Sequence, residues 1–434
     1  FANVGNTETN FSVLLYPYHK EFFPAKKGVR YYVSHGEGGF YILTNENAPN
    51  FKVLFMDEKS GDLRLLIDEM EDSPIDNILV FKDFLALEYR HNGLKTVGIY
   101  KGGKIQRIKF KEEPYALWLE DNYEYEQKYI RVAFSSLRTP KTIYDYDIEK
   151  GKLIKKWVEP VPNYERDLYE TKRLWAISYD GTKIPISVVY RKDRLKMGEN
   201  PLLLYGYGAY GHPIEPVFSK FIISLLDRGF IYAIAHVRGG GEFGDRWHKE
   251  GKFDKKKNTI YDFVECAEYL IIEGFTSKGK IAIMGGSAGG ITVGGALNLK
   301  PHLFGCAVTI VPFVDVLNTM LDPSLPLTVQ EYDEWGNPND KYYYDYIKSY
   351  SPYENVKPNK YPPVLAITGL YDPRVGYWEP AKWILKLREN DTSKSPKLLL
   401  TEMEAGHMGI PGRYKYMEEV AIRYAFILKN IPPL

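Results

Sequence analysis

The sequence predicts two domains of different class. Residues 1–162 read as an all-β domain of propeller type, and residues 163–434 as an α/β domain with a mostly parallel sheet and helices on both faces. Three observations predict this. Similar hairpins recur in the first 160 residues at the ~40–50-residue interval of four-stranded blades. After the stretch Glu159-Pro160-Val161-Pro162-Asn163 the pattern changes to apolar strands alternating with helical stretches. A length of 434 residues leaves room for two cores.

In the first domain, hairpins join residues 53–56 to 63–66, 97–100 to 105–108 and 143–146 to 153–154. Their turn glycines, Gly61, Gly102 and Gly151, lie 41 and 49 residues apart. Further strand candidates lie at 40–45, 85–89 and 130–134. A β-sandwich would show the same alternation, so pattern alone leaves both architectures open. Three blades and a part of another cannot close a ring. The chain also starts at Phe1 in mid-pattern, so earlier blades are expected in an N-terminal remainder of the same protein.

The second domain begins with a hairpin, 174–179 to 184–190, around Asp180-Gly181. Strand–helix alternation follows: strands at 202–205, 230–236, 281–284, 307–311, 364–368 and 397–401. Helices are expected near 218–228, 260–272, from Ser287 to about Leu299, 378–388 and 417–428. The strands are short apolar runs, as in a sheet covered on both faces.

The strand at 281–284 ends at Gly285-Gly286-Ser287-Ala288-Gly289, a Gly-x-Ser-x-Gly run followed by a helix of small and apolar residues. A sharp strand-to-helix turn exposes the serine hydroxyl above the sheet and requires glycines where backbones pass closely. The helix start also offers N–H groups to developing negative charge. An ordinary Gly-rich turn is the plain alternative.

A serine hydroxyl needs a base, and the base an orienting carboxylate. In α/β-hydrolases the order is serine, acid, histidine, each after a strand. Only His302 and His407 follow Ser287. His302 reads as a solvated loop residue, whereas His407 lies between glycines after the last strand and is the candidate base. Asp372, just after the strand at 364–368, is the candidate acid; capping the next helix is its other possible task. Asp391 falls too late. The oxyanion needs two donors. One is the Ala288 N–H, and the other comes from Tyr205-Gly206-Tyr207-Gly208-Ala209-Tyr210-Gly211.

These motifs resemble the oligopeptidase B branch of the prolyl oligopeptidase family of serine peptidases. The resemblance runs through the tyrosine- and glycine-rich loop, Ala-His-Val-Arg-Gly-Gly-Gly-Glu (235–242), Gly-Gly-Ser-Ala-Gly-Gly, Val-Pro-Phe-Val-Asp-Val (311–316), Glu-Trp-Gly-Asn-Pro (334–338), Tyr-Trp-Glu-Pro-Ala-Lys-Trp (377–383) and Ala-Gly-His (405–407). It implies a seven-bladed propeller capping an α/β-hydrolase domain, with the active site between them. It also implies the triad Ser287, Asp372 and His407, with Tyr207 as side-chain oxyanion donor. Cleavage after Arg or Lys is implied through an acidic pair, Glu331 and Asp333, able to grip a guanidinium. Asp333 stands where the family usually has glutamate. A second acidic pair matches Glu215 and Val217, so only Glu215 remains and dibasic preference should be weaker. Arg374 resembles the arginine of prolyl oligopeptidase that bonds the substrate main chain. Arg238 and Glu242 are read as an ion pair fixing their loop.

The expected activity is therefore hydrolysis of short peptides with basic residues, in the cytoplasm, with folded proteins excluded by size. Prolyl oligopeptidase or acylaminoacyl peptidase specificity is the enzyme alternative, and a non-catalytic propeller scaffold is the other. Composition narrows the remainder. Lys+Arg 57 against Asp+Glu 56 leaves no global field for nucleic acid or acidic membrane. No run of 18 apolar residues offers a membrane span. Cys266 and Cys306 sit in apolar contexts and read as buried thiols. No His-Glu-x-x-His or comparable spacing implies a metal, and no cofactor is implied.

Overall fold

The structure, a computed structural model, describes residues 23–434 and the backbone of three short strands before them, Ala2–Gly5, Asn10–Leu14 and Lys20–Glu21. The chain forms two compact units. One holds Phe1–Pro162, Glu215–Phe218 and Glu242–Arg246; the other holds Asn163–Ile214, Ser219–Gly241 and Trp247–Leu434.

Within the first unit, three antiparallel four-stranded meanders follow one another. They run Tyr31–Gly36 to Leu63–Ile67, Ile75–Val80 to Lys104–Arg107, and Tyr115–Leu119 to Lys152–Val158. The three hairpins expected from the turn glycines form the last two strands of each meander. The first strand of each escapes the sequence reading. The middle sheet decides between propeller and sandwich. Its strand Leu85–His91 sends Leu85, Leu87 and Tyr89 into one core with Leu43, Val53 and Ile67 of the preceding sheet. Ala86, with Val97 and Ile99, enters another core with Leu117, Ile130 and Val132 of the next. A sheet packed on both faces by its neighbours in sequence is a propeller blade. The two short segments from later in the chain join this unit through polar contacts. Arg90 pairs with Glu215, Ser135 Oγ accepts from the Phe218 N–H at 3.0 Å, and Asn50 Oδ1 from the Asp245 N–H at 3.1 Å.

The second unit is built on one eight-stranded sheet. Its strands are β1 (Tyr169–Ile177), β2 (Lys183–Arg191), β3 (Leu202–Tyr205), β4 (Ile231–Ala235), β5 (Ile281–Gly286), β6 (Phe304–Ile310), β7 (Val364–Gly369) and β8 (Lys397–Glu402). The spatial order is β1-β2-β4-β3-β5-β6-β7-β8, with β2 antiparallel to both neighbours and every other pair from β4 to β8 parallel. Every residue of β7 is buried, so both faces of the sheet are covered. The long helices are α1 (Lys257–Ile272), α2 (Gly289–Leu299), α3 (Trp378–Asn390) and α4 (Arg413–Asn430).

Two local expectations change. The helix expected near 218–228 shrinks to one turn, Ile223–Leu226, stopped by Gly229 at φ 84°. Arg238 does fix its loop, but by bonds to the buried Asp262 and to Asp180. Those carboxylates come from α1 and from the β1–β2 turn, and sequence proximity does not disclose them. Both cysteines are free and buried, and burial pushes the Cys306 thiol up to about 12. Among the described residues no helix is long and apolar enough to cross a membrane.

Candidate active site

Strand β5 delivers Ser287 to a turn that backbone sterics enforce. Ser287 sits at φ 51°, in the left-handed region a side chain seldom adopts. A Cβ on Gly285 would approach the Gly289 carbonyl oxygen to 2.7 Å, and one on Gly289 would approach the Gly206 oxygen to 2.9 Å. Only glycine fits at either side of the serine. Two backbone bonds tie the turn to the segment after β6. The Ser287 N–H donates to Ile310 O, and the Phe313 N–H to Ser287 O, each at 2.8 Å. Helix α2 then starts immediately, with the Gly290 N–H donating to Ser287 O at 2.8 Å and the Ile291 N–H to Ala288 O at 3.1 Å.

The loops after β7 and β8 bring the other two groups to this serine. His407 Nε2 lies 3.1 Å from Ser287 Oγ, and its Nδ1 lies 2.7 Å from Asp372 Oδ2. The other Asp372 oxygen accepts the N–H groups of Arg374 at 2.8 Å and Val375 at 3.0 Å. Burial opposes the charge on Asp372, but the His407 bond and these two N–H groups outweigh it and hold the carboxyl below its ordinary value. The carboxylate therefore stays ionised and fixes the imidazole with Nε2 turned to the serine.

Ser287 opens onto a cavity of about 330 Å³ shared with Tyr207, Tyr210, Glu331 and Arg374. Its remaining walls are mainly apolar: Phe313, Met320, Leu325, Leu327 and Val375, with Thr319 and Thr328. Burial raises the Tyr207 hydroxyl above its ordinary value, so it remains a proton donor at neutral pH. Ala288 lies directly at the helix start. Arg374 is exposed and its guanidinium makes no ion pair among the described residues, so the loop salt bridge that would compete with substrate binding is not formed.

The carboxylates divide. Glu331 lines the cavity, and its Oε2 accepts both Tyr210 Oη–H at 2.9 Å and Trp335 Nε1–H at 2.7 Å. Burial raises its carboxyl above the ordinary value, though these two donors pull the other way. Asp333 is exposed and absent from the lining. Glu215 belongs to the first unit, where the buried Arg90 holds it. The structure thus brings together Ser287, His407, Asp372, Tyr207, Ala288, Arg374 and Glu331, and leaves Asp333 outside. Sequence reasoning missed the two donors on Glu331 and the apolar walls. The Glu331–Trp335 spacing of four, one helical turn, was the available signal for the Trp335 bond.

A strand–serine–helix elbow in this strand order, with histidine and aspartate from the two following strand ends, defines an α/β-hydrolase domain, preceded here by propeller blades. The comparisons with known proteins agree, and the chain belongs to the prolyl oligopeptidase family. Residues 216–432 match that family, and residues 16–158 match the N-terminal β-propeller domain of prolyl oligopeptidase. Dipeptidyl aminopeptidase BI of Pseudoxanthomonas mexicana is 41% identical over 94% of this chain and 57% of its own length. Protease 2 of Moraxella lacunata is 40% identical over 94% and 59%. Among solved structures, oligopeptidase B from Leishmania major matches with a TM-score of 0.92 and 39% identity, over 99% of this chain and 63% of that one. Oligopeptidase B from Trypanosoma brucei, with covalently bound antipain, matches with a TM-score of 0.92 and 40% identity, over 99% and 64%. The chain spans less than two thirds of the length of these relatives.

Proposed function

We propose that this chain carries the catalytic centre of a serine oligopeptidase that cuts short peptides after Arg or Lys. One observation carries the reading: the bonded series Ser287–His407–Asp372 opens on a cavity whose one lining carboxylate, Glu331, sits among apolar walls. The basic side chain of the substrate would bury its methylenes against Met320, Leu325 and Leu327 and bring its charge to Glu331. Arg374 would hold the substrate main chain.

The chemistry follows from the distances. As Ser287 Oγ attacks the scissile carbonyl carbon, His407 Nε2 takes the hydroxyl proton. The resulting oxyanion meets the Ala288 N–H and the Tyr207 hydroxyl. His407 passes its proton to the departing amine, and the C–N bond breaks to leave an acyl-serine. Water then gives a proton to His407 as it attacks the ester, and His407 returns that proton to Ser287 Oγ as the C–Oγ bond breaks, which releases the acid and restores the serine. Asp372 stays ionised throughout and stabilises the imidazolium.

The largely apolar walls favour one competing reading, a preference for proline or another uncharged residue. Endopeptidase action is also distinct from removal of dipeptides, the activity in the name of one relative. Fluorogenic peptides ending in Arg or Pro, each with free or blocked amino termini, separate these cases. Faster cleavage of the blocked arginyl substrate is expected. Faster prolyl turnover would reverse the specificity assignment, and cleavage only with a free amino terminus would reverse the endopeptidase assignment.

A further inference from the structure

The loop that carries Tyr207 leaves the sheet after Gly206, whose N–H still donates to Met284 O at 3.1 Å. Thr292 Oγ1 holds the Tyr207 carbonyl at 2.7 Å, and a buried ionic cluster holds the residues that follow. Lys256, at the start of α1, is fully buried. Its ammonium donates to the carbonyl oxygens of Gly208 and, at 3.1 Å, Gly251, and stands 5.1 Å above the centre of the Trp335 ring. Two residues after Gly208, the Tyr210 N–H donates to Glu334 Oε1 at 2.8 Å, while Glu334 Oε2 meets His248 Nε2 at 2.7 Å. Burying an ammonium costs several kcal/mol unless its partners compensate. An apolar side chain would fill this space at lower cost, so the charge needs another reason. Gly208 adopts φ 78°, and a Cβ there would strike Thr259 Cγ2 at 2.4 Å. Its carbonyl oxygen takes its main bond from the lysine ammonium, with Thr259 Oγ1 a longer second donor at 3.5 Å.

We propose that Lys256 is a positioning residue for the reaction at Ser287, orienting the Tyr207–Tyr210 loop so that the Tyr207 hydroxyl meets the oxyanion. Through Trp335, whose N–H holds Glu331, the same cluster joins the oxyanion side of the cavity to its carboxylate side. Burial lowers the Lys256 ammonium to about 8, and Glu334 acts against that fall, so the cation persists at neutral pH.

The inference rests on Tyr207 acting as oxyanion donor, and a double-mutant cycle tests the two ideas separately. With a blocked arginyl substrate at pH 7, Lys256→Met should lower kcat by roughly 10- to 100-fold, as expected for a misplaced oxyanion donor. In a Tyr207→Phe background the same change should cost less than about threefold, because the donor it positions is gone. Glu334→Gln, which keeps an acceptor for the Tyr210 N–H but removes the charge facing Lys256, should show the same dependence on Tyr207. It serves if the methionine variant does not fold, as judged by thermal melting. A costly Tyr207→Phe with fully additive losses would overturn the role of Lys256 alone. A neutral Tyr207→Phe would overturn the oxyanion reading and this inference together.

Discussion

The turn at 285–289 and the segment at 331–335 both reach the same cavity, but different forces place them. At the turn, carbonyl oxygens stand where side chains would be, and a serine at positive φ has one direction to point. The glycines of the pentapeptide, placed between a strand and a helix, announce that outcome. The segment at 331–335 is a single helical turn, Tyr332–Trp335, with Glu331 at its N-terminal end. There Glu331 bonds the indole four residues on, Glu334 turns inward, and Asp333 faces solvent. Residues two apart on a helix do not share a face. A paired-carboxylate grip would need extended backbone, and the chain is helical there. Backbone sterics can be read from sequence; a spacing acquires meaning only once the local conformation is known.

The comparison breaks first at Ser287. Replacing it with Ala should lower kcat on any peptide substrate by about 10⁶-fold with KM nearly unchanged, as for loss of a triad nucleophile. Steady-state kinetics with active-site titration would check this, and substantial residual turnover would place the chemistry elsewhere. At the other segment, Glu331→Gln should reduce kcat/KM for arginyl substrates by roughly 10- to 100-fold, the worth of one charge-assisted bond. Turnover of an uncharged substrate should hold steady. Asp333→Asn should change either value by less than about twofold, as for an exposed charge. Equal losses at 331 and 333 would show that both carboxylates reach the substrate and that the helical turn opens on binding.

A pH profile sharpens the same contrast. The Glu331 carboxyl titrates above its ordinary value because burial disfavours the charge. Only the ionised form attracts a basic side chain. As pH falls through that raised value, kcat/KM for arginyl substrates should decline at a higher pH than for uncharged ones. The displaced limb should vanish in Glu331→Gln. Superimposable limbs for the two substrate types would remove Glu331 from recognition.

Much of the fold was legible because it repeats. Turn glycines at regular intervals disclose the outer hairpin of each blade, and continuous apolar runs disclose the parallel strands. The first strand of the second and third blades stayed hidden because no glycine turn joins it to the next. That of the first blade escaped although Gly38, at φ 78°, turns it onto its neighbour. Short helices such as Val316–Leu321 and Lys341–Lys348 also escaped, being too brief for periodicity to register. In the site, Ser287, Asp372 and His407 follow from strand order and loop position. Lys256, Glu334 and Tyr210 act through contacts between elements distant in sequence, and no local pattern announces such contacts. Arg238 gives the same lesson, because its partners Asp180 and Asp262 lie 58 and 24 residues away.

The central claim is that Ser287 is made nucleophilic by His407. Covalent labelling with a fluorophosphonate probe, followed by peptide mass mapping, tests it most directly. The account predicts one adduct, on Ser287, formed rapidly in the unaltered chain and far more slowly after His407→Ala. An adduct on another residue, or labelling unchanged by loss of the imidazole, would contradict it.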